Sequence, residues 1–139
     1  MENIFLKFSP KIELEISIDS FTFRKGGFTK TFNTYMYVSK DKKPRIISVG
    51  EEPLRLLESI KIDLFETSDK ANAEHDKYDC LSAFLKHCIV SISSKLAMIR
   101  PTIIVSGINE LNTIFNGYQR KIMMNLLGDA GAALVIFKD

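Results

Sequence analysis

The chain has 139 residues, 45% of them hydrophobic, which suffices to bury one core without disulfide or metal staples and is too short for two ordinary domains. Its 19 basic and 17 acidic residues leave a formal charge of +2, too small and too mixed to mark a polyanion binder, so no nucleic-acid partner is expected. No run reaches the ~20 apolar residues of a membrane span, and the start Met1-Glu-Asn-Ile-Phe-Leu-Lys-Phe8 lacks the length and basic flank of a signal peptide; the expectation is one cytoplasmic domain over 1–139.

Ile4, Leu6 and Phe8 read as a first strand or a loose terminus. From Ile12 to Ile18 apolar and polar residues alternate with period two, the pattern of a strand with one face on a core. After Asp19-Ser20 the apolar set changes phase to Phe21 and Phe23, which requires a turn or bulge before a second strand. Gly26-Gly27 supplies a tight hairpin, and Phe28 to Val38 reads as one β-rich run. The polar segment Lys40 to Pro44 is a turn, and Ile46 to Val49 is a short strand that Gly50 ends.

Beyond Gly50 the period changes to that of a helix. Pro53 suits the first turn of a short helix carrying Leu54, Leu57 and Ile60, and Thr67 to Lys77 reads as a loop or helix entry. Tyr78, Leu81, Phe84, Leu85, Cys88, Ile89 and Ile92 recur at steps of three and four, one apolar stripe of a longer helix. Cys80 and Cys88 lie on it more than two turns apart, read as buried small hydrophobes in a reducing compartment. With no second Cys/His pair at zinc-like spacing, neither a disulfide nor a metal site is expected.

Thr102-Ile-Ile-Val105 is a continuous apolar run typical of a strand buried on both faces. Asn109 to Leu127 reads as one helix with Leu111, Ile114, Phe115, Tyr118, Ile122 and Leu126 inward and Gly128 as its stop. Ala132 to Phe137 closes the chain as a last buried strand. Two buried strands joined by one helix make a parallel pair, so the sheet is mixed. The fold class is α/β, with element order βββαβαβ and helices packed on the sheet. This is the order of the ribonuclease-H-like fold that actins, sugar kinases, Hsp70 chaperones and several nucleases share.

Several segments resemble the first lobe of MreB-type bacterial actins: Val49-Gly-Glu-Glu52 at a strand end, Phe84-Leu-Lys86 in the long helix, Arg100-Pro101, Val105-Ser-Gly-Ile-Asn-Glu110, and Gly128-Asp-Ala-Gly-Ala132 entering the last strand. That resemblance implies an actin-like lobe with a phosphate loop in the first hairpin, falling here on Glu15, Ser17 and Asp19. It implies a second loop at Ser106, Gly107 and Glu110, whose carboxylate would stand near an attacking water. The family's loop needs an acid for metal and glycine for close backbone approach. Here Glu15 replaces the Asp, Ser17 adds a side chain where bare backbone is needed, and Ile18 replaces a small hydroxyl residue. A neighbouring family acid falls on Asn112.

Simpler readings compete at each position. Glu13, Glu15, Ser17 and Asp19 form the solvent face of a strand, Asn109 is a natural N-cap, and Glu110 in a first turn is favoured by the helix dipole. In the actin family, nucleotide sits between two lobes, and the resemblance covers one. A two-metal nuclease would need a carboxylate at the end of the central strand, beside Glu15 or Asp19 and Asp76 or Asp79, but that strand ends in Val105-Ser-Gly. The expected function is a non-catalytic interaction module without a cofactor, pairing with itself, an actin-like protein or another protein through Phe28, Phe32, Tyr35 and Tyr37. The alternative is a nucleotide- or metal-binding or hydrolytic domain using Glu15, Asp19 and Glu110.

Overall fold

The structure is a computed structural model that describes residues 9–43, 45–54, 59–65, 77–93 and 100–138. The readings placed on Ile4, Leu6, Phe8, Pro44, Leu57, Asp76 and the 67–76 loop lie outside these residues. Among the described residues, eight strands form two sheets. The larger sheet contains β1 (Lys11–Ile16), β2 (Ser20–Lys25), β3 (Phe28–Asn33), β7 (Thr102–Ser106) and β8 (Leu134–Phe137) in the order β3-β2-β1-β7-β8. β1 to β3 are antiparallel, and β1, β7 and β8 are parallel, giving the mixed sheet anticipated from the two apolar runs.

The alternation of β1 sets the two faces of this sheet. Ile12, Leu14 and Ile16 are buried while Lys11, Glu13 and Glu15 are exposed. The inner face continues through Phe21 and Phe23 of β2 and Ile103 and Val105 of β7, all fully buried. Helices α1 (Lys77–Ile92) and α3 (Gln119–Asp129) cover it and pack against each other. Leu81, Phe84, Leu85, Cys88, Ile89 and Ile92 of α1 are buried as the stripe requires, but Tyr78 stands 45% exposed at its start. Phe84 meets Phe21 edge-on at 5.7 Å and Phe32 at 6.4 Å, the aromatic centre of the core.

Four expectations are corrected. The run Phe28 to Val38 is two strands in different sheets. At Thr34 the chain leaves the large sheet: its N–H donates to the Asp19 carbonyl (3.1 Å), its hydroxyl to the Ile18 carbonyl, and its own carbonyl accepts from Leu64 N–H (3.0 Å). β4 (Tyr35–Ser39) then becomes the middle strand of a second antiparallel sheet, between β5 (Ile46–Val49) and β6 (Ser59–Asp63). Ile60 therefore belongs to a strand, not a helix. Ile62 and Leu64 are buried while Lys61 and Asp63 are more exposed, a period of two that the apolar spacing from Leu54 had masked.

The stretch after β7 is not one helix. A 3₁₀ turn (Ile108–Leu111) runs into a single turn of helix, α2 (Asn112–Phe115), and Asn116 (φ 51°) and Gly117 (φ 89°) stop it before α3 begins. Two successive left-handed residues cannot continue a right-handed helix. Gly128 lies inside α3, which ends at Asp129. Finally, β8 is a sheet edge buried on one side only, with Leu134 and Ile136 more than 40% exposed.

Arg100 has a role that its sequence context did not reveal. Its guanidinium donates to the carbonyls of Gly128 (3.0 Å), Gly131 (3.0 Å) and Ala132 (3.1 Å), satisfying the end of α3 and holding the entry to β8 beside β7. Arg100→Ala is expected to cost about 1 kcal/mol in urea unfolding. Arg100→Lys should recover less than half of that, because a single ammonium cannot span three carbonyls.

Candidate functional site

β1 and β7 run parallel, so the loops that follow them emerge at the same edge of the sheet, where open α/β sheets place their ligands. Glu15 and Ser106 are register neighbours there. Gly107 (φ 76°) lies so close to the end of β1 that a Cβ on it would sit 2.3 Å from the Ile16 carbonyl oxygen. The structure thus brings Glu15, Ser17, Ser106 and Gly107 together. Gly107, not Asn109, occupies the cap of the following 3₁₀ turn, and no side chain caps it. Glu110 follows with an exposed side chain, and its N–H donates to the Gly107 carbonyl (3.0 Å).

The loop after β1 is closed on itself. Ser17 N–H donates to the Ser20 carbonyl (2.9 Å), Ser20 N–H donates to Ser17 Oγ (3.1 Å), and Ser17 Oγ donates back to the Ser20 carbonyl (3.2 Å). The Ser17 hydroxyl does inside the turn what a bound anion does for a phosphate loop: it occupies a backbone N–H. Glu15 is likewise engaged. Arg24 on β2 donates to its Oε2 at 3.1 Å, with both side chains about half exposed.

Asp19 points elsewhere. It lines an open cleft of about 310 Å³ with Ile18, Thr34, Asp63 and Phe65, between the first turn and the small sheet. Asp63 and Phe65 escaped the sequence reading; the signal for Asp63 was its alternation with Ile62 in β6. Among the described residues, no three His, Cys, Asp or Glu side chains are grouped to hold a metal, and no helix is long and apolar enough to cross a membrane. Cys80 and Cys88 form no disulfide with each other, and burial pushes the Cys88 thiol well above its ordinary value, leaving it a neutral core residue.

The aromatic contact surface is only partly available. Phe32 and Tyr37 are 4% and 6% exposed: Phe32 packs on Phe23 and Phe84 in the core, whereas Tyr37 lies against Tyr35 at 5.9 Å, on the face of β4 opposite the core residues Met36 and Val38. Tyr35 is half-buried beneath the Lys61 ammonium, 4.5 Å from its ring centre, and Phe28 alone of the four stands largely exposed at the hairpin end.

This arrangement, a β3-β2-β1-β7-β8 mixed sheet with two helices on one face and a small sheet inserted after β3, is an actin-like α/β lobe. Its fold matches that of the bacterial actin-like protein MamK, in a structure of a non-polymerising mutant bound to AMPPNP, with a TM-score of 0.61 at 11% identity. The match covers 93% of this chain and 41% of the MamK chain. No family model matches the sequence, and no curated protein does.

Gly107→Ala is expected to cost about 3 kcal/mol in denaturant unfolding, since the backbone conformation and the Ile16 carbonyl both reject a Cβ. Gly26→Ala is the control. It also has a positive φ (59°), but a Cβ there would have nothing within 4 Å, and the loss should be about 1 kcal/mol.

Proposed function

We propose that the chain is a non-catalytic protein-interaction module built on one actin-like lobe, which self-associates or binds a partner such as an actin-like protein. The observation that carries this reading is the closed Ser17–Ser20 turn. A phosphate loop works by leaving successive backbone N–H groups pointed at the ligand. Here the N–H groups of Ser17 and Ser20 are both spent within the turn. The Arg24–Glu15 pair supports the same reading, because a carboxylate that accepts from a guanidinium offers a metal ion less charge and fewer free lone pairs. The buried, neutral Cys88 thiol fits a reducing compartment, which favours the cytoplasm as the place of action.

The competing reading keeps nucleotide or metal at Glu15, Asp19 and Glu110, with Asp19 in the cleft beside Thr34 and Asp63. A calorimetric titration with Mg-ATP separates the two. The expected result is no saturable heat. A binding isotherm that disappears in Glu15→Ala overturns the interaction-module reading and installs the nucleotide one.

A further inference from the structure

The stop between α2 and α3 sets two backbone requirements side by side. The chain passes through Asn116 (φ 51°, ψ 43°) and then Gly117 (φ 89°), both in the left-handed region. Asparagine is among the few residues with a side chain that take the first position at little cost. A Cβ on Gly117 would meet nothing within 4 Å, so glycine is required there by its angle and not by space. The stop therefore writes Asn-Gly into the sequence. That dipeptide cyclises more readily than other Asn-containing pairs, because no side chain shields the glycine nitrogen from the neighbouring amide. Of the seven asparagines in the chain, Asn116 alone precedes a glycine.

The reaction needs only water. The Gly117 backbone nitrogen loses its proton and attacks Asn116 Cγ. The new N–Cγ bond closes a succinimide ring, the Cγ–Nδ2 bond breaks, and Nδ2 leaves as ammonia. Water then opens the ring at either carbonyl, leaving an aspartate or an isoaspartate at position 116.

The native backbone opposes the first step. Ring closure requires the Gly117 nitrogen and the Asn116 side chain on the same side of the Cα–C bond, and a ψ of 43° holds them on opposite sides. Hydrogen bonds on both flanks maintain that angle: Tyr118 N–H donates to the Phe115 carbonyl (3.0 Å), and Ile122 N–H donates to the Tyr118 carbonyl (3.0 Å). Phe115 is held in turn, edge-on to Phe65 at 6.3 Å. Rotation of ψ toward the reactive angle would swing Gly117 and Tyr118 away from these partners.

We propose that Asn116 is a deamidation site that the fold holds shut, converted only when the α2–α3 junction opens locally. The same glycine that lets the chain turn makes the bond labile, and the same left-handed angle protects it. Conversion is irreversible. An isoaspartate lengthens the main chain by a methylene and adds a carboxylate, so the junction cannot re-form as it was, and the site records how often it has opened. The reaction involves neither nucleotide nor partner and is independent of the function of the lobe.

The full chain is incubated at neutral pH, folded or unfolded in urea, and the tryptic peptide ending at Arg120 is followed by mass and by enzymatic methylation of isoaspartate. Conversion in the folded chain should be about tenfold or more slower than in the unfolded chain. Phe115→Ala, which loosens α2, should speed the folded-state reaction about threefold or more and leave the unfolded rate unchanged. Asn116→Gly, which keeps the left-handed angle, should abolish the signal. If melting curves show that Phe115→Ala has unfolded, a urea series on the wild-type chain below its midpoint takes its place, and the rate should climb with urea. Folded and unfolded rates within about twofold of each other overturn the proposal, as does a folded rate indifferent to both Phe115→Ala and urea. Conversion at Asn109 or Asn112 of the same peptide in place of Asn116, or none in the unfolded chain, also overturns it.

Discussion

β1 is hydrogen-bonded on both sides, antiparallel to β2 and parallel to β7, and everything else in the molecule is arranged around that double pairing. A side-chain period of two on a strand so held leaves no freedom of register: Ile12, Leu14 and Ile16 commit one face to the core, and Lys11, Glu13 and Glu15 commit the other to charge. The helices must then lie on the apolar face. Phe21 and Phe23 follow on β2, Phe84 descends from α1 to meet Phe21 and Phe32, and a single contiguous core results. The same pairing sends the loops after β1 and β7 to one edge, where Gly107 is forced against the Ile16 carbonyl.

That edge is where an actin-like lobe would present a phosphate loop, and the chemistry of this one differs in a specific way. A side chain at Ser17 replaces an external ligand with an internal one, and the turn closes. The strand order depends on apolar alternation, a pattern that chains only 11% identical can share. Phosphate binding depends on a few unencumbered backbone donors; here the Ser17 hydroxyl takes the Ser20 N–H and the Ser20 carbonyl takes the Ser17 N–H.

The small sheet shows how a local junction controls a larger feature. Thr34 is buried with its N–H, hydroxyl and carbonyl all engaged, tying the first turn to both sheets. From that junction β4 turns away with Met36 and Val38 inward, and the cleft beside Asp19 opens between the two sheets. Arg100 plays the equivalent part at the other end, joining the end of α3 to the start of β8 through three carbonyls.

Periodicity in the sequence was sufficient for the mixed sheet and the stripe of α1, because burial of one face imposes a repeat that composition cannot hide, and Gly26-Gly27 marked the hairpin. The resemblance carried by the short motifs implied that Glu15, Ser17, Ser106 and Gly107 belong to one site. Periodicity did not separate β3 from β4, since both halves of Phe28 to Val38 are β-rich and the change of sheet is made by the bonds of Thr34. Nor did it show which aromatic rings are covered: Phe32 and Tyr37 differ from Phe28 only in what packs above them. The closure of the Ser17–Ser20 turn and the grip of Arg100 each join residues on different elements or across a turn. Only the three-dimensional pairing of β1 with its neighbours decided those, because hydrogen bonds depend on position in space, while the sequence records only the order of the chain.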